Sequence, residues 1–232
     1  MEAEREIREI FGHIKALISA NQEIGLDPPP LSGEGLEILE REKRREGIET
    51  LEGLRDFIGE CRRCRLCKGR GHLVFGEGNP NARLVFVGEG PGRDEDMVGR
   101  PFVGESGKLL TRIIENGMRL TREDVYICNV VKCHPPGNRD PETDEIEECI
   151  PFLKKQLRII RPEVICVLGR VAGQALLGKG FRIKRERGRW HSYEGIPLMA
   201  IYHPAYLLRN PSAKRQAWKD IQGIMTRLAL EV

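Results

Sequence analysis

The sequence predicts an α/β fold, a parallel sheet with helices on both faces. Four short apolar runs, Leu84–Val87, Val125–Val130, Val164–Leu168 and Leu198–Tyr202, read as buried strands. Helical segments lie between and after them: Ser106–Asn116, Asp144–Arg161, Arg170–Leu177 and a last one from about Ala213 to Leu230. Strands alternating with helices imply parallel pairing, and ligands of such sheets bind beyond the carboxyl ends of the strands.

Ahead of that pattern the chain differs in character. Apolar positions at Ile7, Ile10, Phe11, Ile14, Leu17 and Ile18 predict an amphipathic helix over residues 1–20. Gly25-Leu26-Asp27-Pro28-Pro29-Pro30 breaks it, and Ser32-Gly33-Glu34-Gly35 continues a linker. The charged stretch 36–47 fits a solvated helix or a disordered segment, and Thr50–Gly59 a short helix. Residues 1–49 are therefore expected to form a helical and linker extension, and residues 50–232 the main domain. The extension is equally open to packing on that domain and to docking a replication or repair protein. No internal repeat is visible.

The longest apolar runs are far too short to span a membrane. The opening Met1-Glu2-Ala3-Glu4 does not resemble a secretory signal, and seven cysteines, an odd number, argue for a reducing cytoplasm and metal binding rather than disulfides. The net charge of +3 hides an asymmetry: residues 1–60 hold 8 Lys/Arg against 15 Asp/Glu, and the remainder 30 against 20. A basic main domain suits a polyanionic partner; a solvated surface of mixed charge is the plainer alternative. Arg182, Lys184, Arg185, Arg187 and Arg189 form a basic run open to the same two readings.

Two cysteine pairs stand out: Cys61-Arg62-Arg63-Cys64, then Cys133 and Cys149 with fifteen residues between them. Four thiolates complete either a zinc site or an iron–sulfur cluster. Whatever they bind fastens the start of the main domain to its middle. Cys128 and Cys166 lie within strands and read as core residues.

The expected strand ends carry the other chemistry. The first ends in Gly88-Glu89-Gly90-Pro91-Gly92. It is neither a phosphate loop nor a dinucleotide motif, since the Lys-Ser/Thr and the Gly-x-Gly-x-x-Gly spacing are both missing. Glu89 there is either an exposed turn residue or a general base for water. Phe102, in a loop rich in Pro and Gly, is a hydrophobic plug or a stacking platform for a flat ligand such as a base. Asn129 is a satisfied core amide or a reader of an edge that both donates and accepts. His203, ending the last strand before Pro204, is structural or faces a developing anion. Leu207 and Leu208 fall in an exposed-looking turn beside Arg209, and an apolar wedge next to a cation suits an enzyme that unstacks DNA.

In order and spacing, these motifs resemble the family 4 uracil-DNA glycosylases, the iron–sulfur class of bacteria and archaea. The likeness runs from Cys61 to about Leu230, roughly three quarters of the chain. It rests on Cys61–Cys64, Gly88–Gly92, Pro101–Gly107, Asn129–Cys133 with Pro135-Pro136-Gly137-Asn138-Arg139, Cys149 and His203–Arg209. The resemblance implies a three-layer α/β/α sandwich around a central four-stranded parallel sheet. It implies removal of uracil from DNA to leave an abasic site, the first step of base excision repair, and a [4Fe–4S] cluster on Cys61, Cys64, Cys133 and Cys149. It further implies that Gly88 and Gly90 border the substrate, Phe102 stacks on flipped uracil, Asn129 reads its edge, His203 bonds O2 and Glu89 activates water. Glu95 would exclude thymine by crowding C5, Leu207 would fill the gap left by the base, and Arg209 would grip the backbone. A monomer acting on uracil-containing DNA is expected, with no membrane partner.

The chain also departs from the pattern. Glu105-Ser106 stands where members often carry Arg-Ala, and Cys67 where relatives often carry His. The basic, His-containing insertion of a DNA-crosslinking relative is absent after the Asn129 strand, which predicts turnover rather than covalent capture. Two rivals remain: a non-catalytic glycosylase-like module that binds DNA in replication or repair, and a zinc-bound hydrolase of free nucleotides.

Overall fold

The computed structural model describes residues 44–45 and 47–230. The expected N-terminal helix, the linker and most of the charged stretch lie outside the described residues. The chain divides into two units, Met1–Gly47 and Ile48–Val232, and the second holds every strand of the sheet.

Helix α1, Leu51–Ile58, starts where the Thr50 side chain accepts from the Gly53 N–H at 3.0 Å. It buries Leu51, Leu54 and Ile58 and delivers the chain to Cys61. Then come β1 (Glu77–Gly78), β2 (Leu84–Gly88), α2 (Arg93–Val98), α3 (Glu105–Arg112), β3 (Tyr126–Asn129), α4 (Thr143–Ile160), β4 (Val164–Leu168), α5 (Arg170–Leu177), α6 (Ile183–Glu186), β5 (Trp190–Tyr193), β6 (Ile196–Ile201), α7 (Pro204–Arg209) and α8 (Lys214–Arg227).

The sheet has six strands in the order β1-β3-β2-β4-β6-β5. The four expected strands form its parallel centre. The expectation of four is corrected by an antiparallel strand at each edge, β1 on β3 and β5 on β6. β5 and β6 form a hairpin across Glu194 and Gly195, both at positive φ (48° and 84°), as a type I′ turn requires.

Strand side chains alternate between faces, so the centre builds two cores. Val85, Val87, Ile165 and Val167 face one way, onto Leu153 and Leu157 of α4 and Ala172 of α5. Leu84, Phe86, Ile127 and Cys166 face the other, onto Leu110 of α3 and Ile221 and Ile224 of α8. Burial on both faces is why these strands read as unbroken apolar runs. Among the described residues no helix is long and apolar enough to cross a membrane.

β2 is central: the chain steps from it to β3 on one side, then crosses back to β4 on the other. The α3 crossover covers one face and α5 the opposite face. This places the topological switch between β2 and β4, with its crevice at their carboxyl ends.

Candidate active site

At that crevice the β2–β3 pairing aligns Gly88 with Asn129. The ladder runs past the strands: Val130 N–H donates to Gly88 O at 2.9 Å and Val131 N–H to Glu89 O at 3.1 Å. The backbone of Glu89 is thereby fixed against the exit of β3. Gly88 is required by crowding, because a Cβ there would lie 2.3 Å from Asn129 Oδ1 and 2.5 Å from Phe102 Cζ.

A cavity of about 460 Å³ opens here, lined by Glu89, Phe102, Asn129, His203 and Arg209 among others. Gly90 and Glu95 also line it, whereas Gly88 sits behind Asn129 and the Phe102 ring. Strand ends far apart in sequence thus bring the expected residues together. The Phe102 ring, 6% exposed, has its centroid 5.8 Å from that of His203. Asn129 is 1% exposed, and its buried Oδ1 has no hydrogen-bond partner. Such an orphaned acceptor on a cavity wall calls for a ligand N–H.

His203 N-caps α7, its Nδ1 accepting from the Ala205 N–H at 3.1 Å. An accepting Nδ1 puts the proton of the neutral ring on Nε2. Burial, and then the charge of Arg209, push the pKa of His203 down to about 4. The ring is therefore a neutral donor at physiological pH. Glu89 is moved the opposite way: burial and the nearby Asp140 carboxylate raise it to about 7, against the pull of Arg170. A carboxylate poised there suits proton abstraction from water.

Glu95 is buried and its carboxylate is fully engaged. One oxygen accepts from Val103 and Gly104 N–H at 2.8 and 3.0 Å, the other from Gly92 N–H at 3.0 Å. It ties the Gly-rich turn to the Phe102 loop. His134 adds a second tie through Nδ1 to Pro91 O at 2.9 Å.

One expected placement is overturned. Leu207 is 1% exposed and packs with Leu109, Ala213 and Ala217, so it has no free surface to offer a nucleic acid. On a short helix successive residues face about 100° apart, and here the turn carries Leu208 outward, 36% exposed. Arg209 is exposed at the cavity rim. In the basic run, Arg187 turns inward, bonding Asp220 at 2.8 Å beneath the Tyr202 ring.

Three residues at the site, Arg139, Asp140 and Arg170, have no role assigned to them from the sequence. Arg139 and Asp140 line the cavity. Arg139 forks onto both oxygens of the fully buried Glu145, at 2.8 and 2.6 Å, and Asp140 pairs with Arg170. Arg170 opens α5 immediately after β4, the one central strand whose exit carried no candidate. Arg139 and Asp140 end and follow the Pro135–Arg139 motif, which was the available signal.

Cys61, Cys64, Cys133 and Cys149 line a second cavity with Ile58, Leu73 and Phe152. Cys67 is not among its walls, and the two cavities share no lining residue. Arg63 donates to Cys61 Sγ at 3.3 Å and Arg70 to Cys133 Sγ at 3.4 Å. Lys132 also lines it, 1% exposed, its Nζ donating to Asn129 O at 2.8 Å and Gln156 Oε1 at 2.6 Å. Among the described residues no carboxylate pairs with that amine, and burial disfavours its charged form by lowering its pKa, against the pull of Cys128, Cys149 and Cys133. An anionic thiolate cluster would favour that charged form. Among the described residues no three His, Cys, Asp or Glu side chains converge on a single-ion position. The four thiols instead gather around one small cavity, and together they are the donor set of an iron–sulfur cluster. The four cysteines fit that group.

The model of the uracil DNA glycosylase superfamily matches residues 75–222. A type-4 uracil-DNA glycosylase of Thermotoga maritima is 46% identical over 181 residues, covering 75% of this chain and 92% of that protein. Another, from Archaeoglobus fulgidus, is 44% identical over 185 residues, 76% of this chain and 92% of the relative. A third, from Saccharolobus solfataricus, is 41% identical over 191 residues, 78% and 88%.

Proposed function

The chain belongs to the uracil DNA glycosylase superfamily, and from that premise we propose a role for each residue at the strand ends. The protein is a uracil-DNA glycosylase, a monofunctional hydrolase that cuts the N-glycosidic bond of uracil in DNA and leaves an abasic site for base excision repair. Uracil cannot be reached inside a duplex, so it is flipped into the 460 Å³ cavity. Phe102 stacks on its face.

The unpartnered, buried Oδ1 of Asn129 carries this reading. Uracil presents N3–H beside the O4 carbonyl, and the side-chain amide of Asn129 can accept from one and donate to the other. Breaking the C1′–N1 bond leaves positive character on the sugar and negative charge on uracil. A neutral Nε2–H of His203 donates to O2 as that charge builds, and helps most in the transition state. Glu89, ionised, takes a proton from the attacking water. Glu95, held by three backbone amides, would crowd a methyl group at C5 and so exclude thymine. The wedge role passes from Leu207 to Leu208, beside Arg209 on the DNA backbone.

Cys61, Cys64, Cys133 and Cys149 hold a [4Fe–4S] cluster. When bound, it supplies a cross-link between α1, the β3 exit and α4, and no reacting atom. Lys132 carries that link to the backbone of Asn129. Free thiols need a reducing compartment, which suits a cytoplasmic enzyme. The acidic extension, residues 1–49, stands outside the glycosylase domain, 50–232, and is suited to docking a replication or repair protein.

A strand-incision assay on a duplex with a single uracil, developed with alkali, tests the whole reading. Cleavage at uracil and not at thymine is expected. Intact substrate with iron-loaded protein would leave only a DNA-binding module.

A further inference from the structure

Arg122 sits in the turn before β3, outside the substrate cavity, and no catalytic motif includes it. Its side chain is only 16% exposed, and all five of its N–H groups are engaged. Nη2 donates to Pro101 O at 2.8 Å, and Nη1 to Phe102 O at 3.2 Å and to Thr111 Oγ1 at 2.9 Å. The opposite edge, Nε and Nη2, bonds Glu77 Oε1. Glu77 in turn accepts from Arg100 at 2.7 Å. One guanidinium thus joins the edge strand β1, helix α3 and two successive carbonyls of the Phe102 loop.

That loop needs holding. Phe102 has φ of 53°, in the left-handed region, which a bulky side chain adopts only when its surroundings fix it. The following amides, Val103 and Gly104 N–H, point to Glu95 Oε1. Its carbonyls are therefore gripped by a cation and its amides by an anion, on opposite sides of one strained residue.

We propose that Arg122, braced by Glu77, is a positioning residue for uracil capture: it clamps the Phe102 loop so that the ring is already in place when the base enters. The role rests on the stacking role of Phe102. A preset ring lowers the cost of ordering the loop on binding, and stacking holds substrate and transition state alike. Loss of the clamp should then raise KM and leave kcat nearly unchanged, whereas a role in the chemical step would lower kcat. Lysine cannot replace it, since a single ammonium cannot span Glu77 and both carbonyls.

Steady-state kinetics on uracil-containing duplex test this with Arg122→Gln, Glu77→Gln, Phe102→Ala and the Arg122→Gln/Phe102→Ala double variant. Visible absorbance and thermal melts accompany each. Arg122→Gln is expected to raise KM roughly ten- to hundredfold, the scale of releasing one strained residue from its fixed geometry. In the double variant the two losses should not multiply, because both act through one ring. If Arg122→Gln folds poorly, Glu77→Gln, which keeps the guanidinium, should show a smaller rise in KM at wild-type absorbance. Wild-type KM in folded Arg122→Gln, or fully multiplicative losses, would overturn the clamp while leaving the stacking role intact. An unimpaired Phe102→Ala would overturn both.

Discussion

Glu89 and His203 are titrating groups shifted in opposite directions by the same burial, and their pH signatures separate their roles. Glu89, raised to about 7, must be ionised to act as a base, so kcat/KM should rise with pH through about 7. Glu89→Gln should abolish that limb. Asp140→Asn removes the carboxylate that raises Glu89 and should shift the limb to lower pH; Arg170→Gln removes the opposing charge and should shift it higher. A limb unmoved by both would exclude Glu89 as its source. His203, held near 4, should add no inflection around pH 6.5, and His203→Ala should lower kcat more than it weakens DNA binding. The stability effects also oppose. An unfolded chain protonates His203 first, so the stability from that ring is present above pH 6.5 and lost towards pH 4. Glu89 works in reverse, its contribution present below about 4.5 and lost as pH rises through 7. Each amounts to roughly 3 kcal/mol at most. Glu89→Gln should therefore lose more stability than the parent between pH 7 and pH 4 in denaturant titrations.

Within the elements, the β2–β3 exit tolerates least change. Gly88→Ala would force its Cβ against both Asn129 and Phe102. Overpacking of this kind costs about 1–3 kcal/mol, and here it displaces two substrate contacts at once. Turnover should collapse well before the fold does, with near-normal circular dichroism as the check. Cys149→Ala should lose iron, visible absorbance and several degrees of melting temperature, since α4 would no longer be tied to Cys61 and Cys133; full colour and unchanged melting would assign the cluster elsewhere. The same elements show what the sequence could reveal. β4 and α5 lie at the expected residues, because continuous burial and a clean helical period leave strong patterns. The edge strands were missed for physical reasons: β1 is two residues long, and β5 is largely exposed and marked mainly by the Glu194-Gly195 turn. Leu207 and Leu208 are chemically alike, and only the rotation of α7 decides which faces the core. The cluster of Arg122, Glu77 and Phe102 spans residues 77 to 122 and has no local pattern at all, since two of the Arg122 bonds run to backbone carbonyls and the others join side chains far apart in the sequence.

At the scale of the whole chain, charge is partitioned along the sequence. Residues 1–49 carry 7 Lys/Arg against 12 Asp/Glu, although the chain is net +3. The segment that binds uracil-containing DNA is therefore more basic than the intact protein. Every residue assigned to the cavity or the cluster lies beyond residue 49, and the Thermotoga, Archaeoglobus and Saccharolobus relatives align with only 75–78% of the chain. A chain of residues 50–232 should accordingly keep its iron, its colour and a kcat close to that of the full chain. Removing an acidic segment should also lower KM at low ionic strength, where charges interact over longer distances, and the difference should shrink as salt is raised. An inactive or colourless truncated chain would make residues 1–49 part of the enzyme. An active one whose KM is unchanged at every salt concentration would mean that the acidic segment stays out of the field of the DNA-binding face, leaving its charge for another partner.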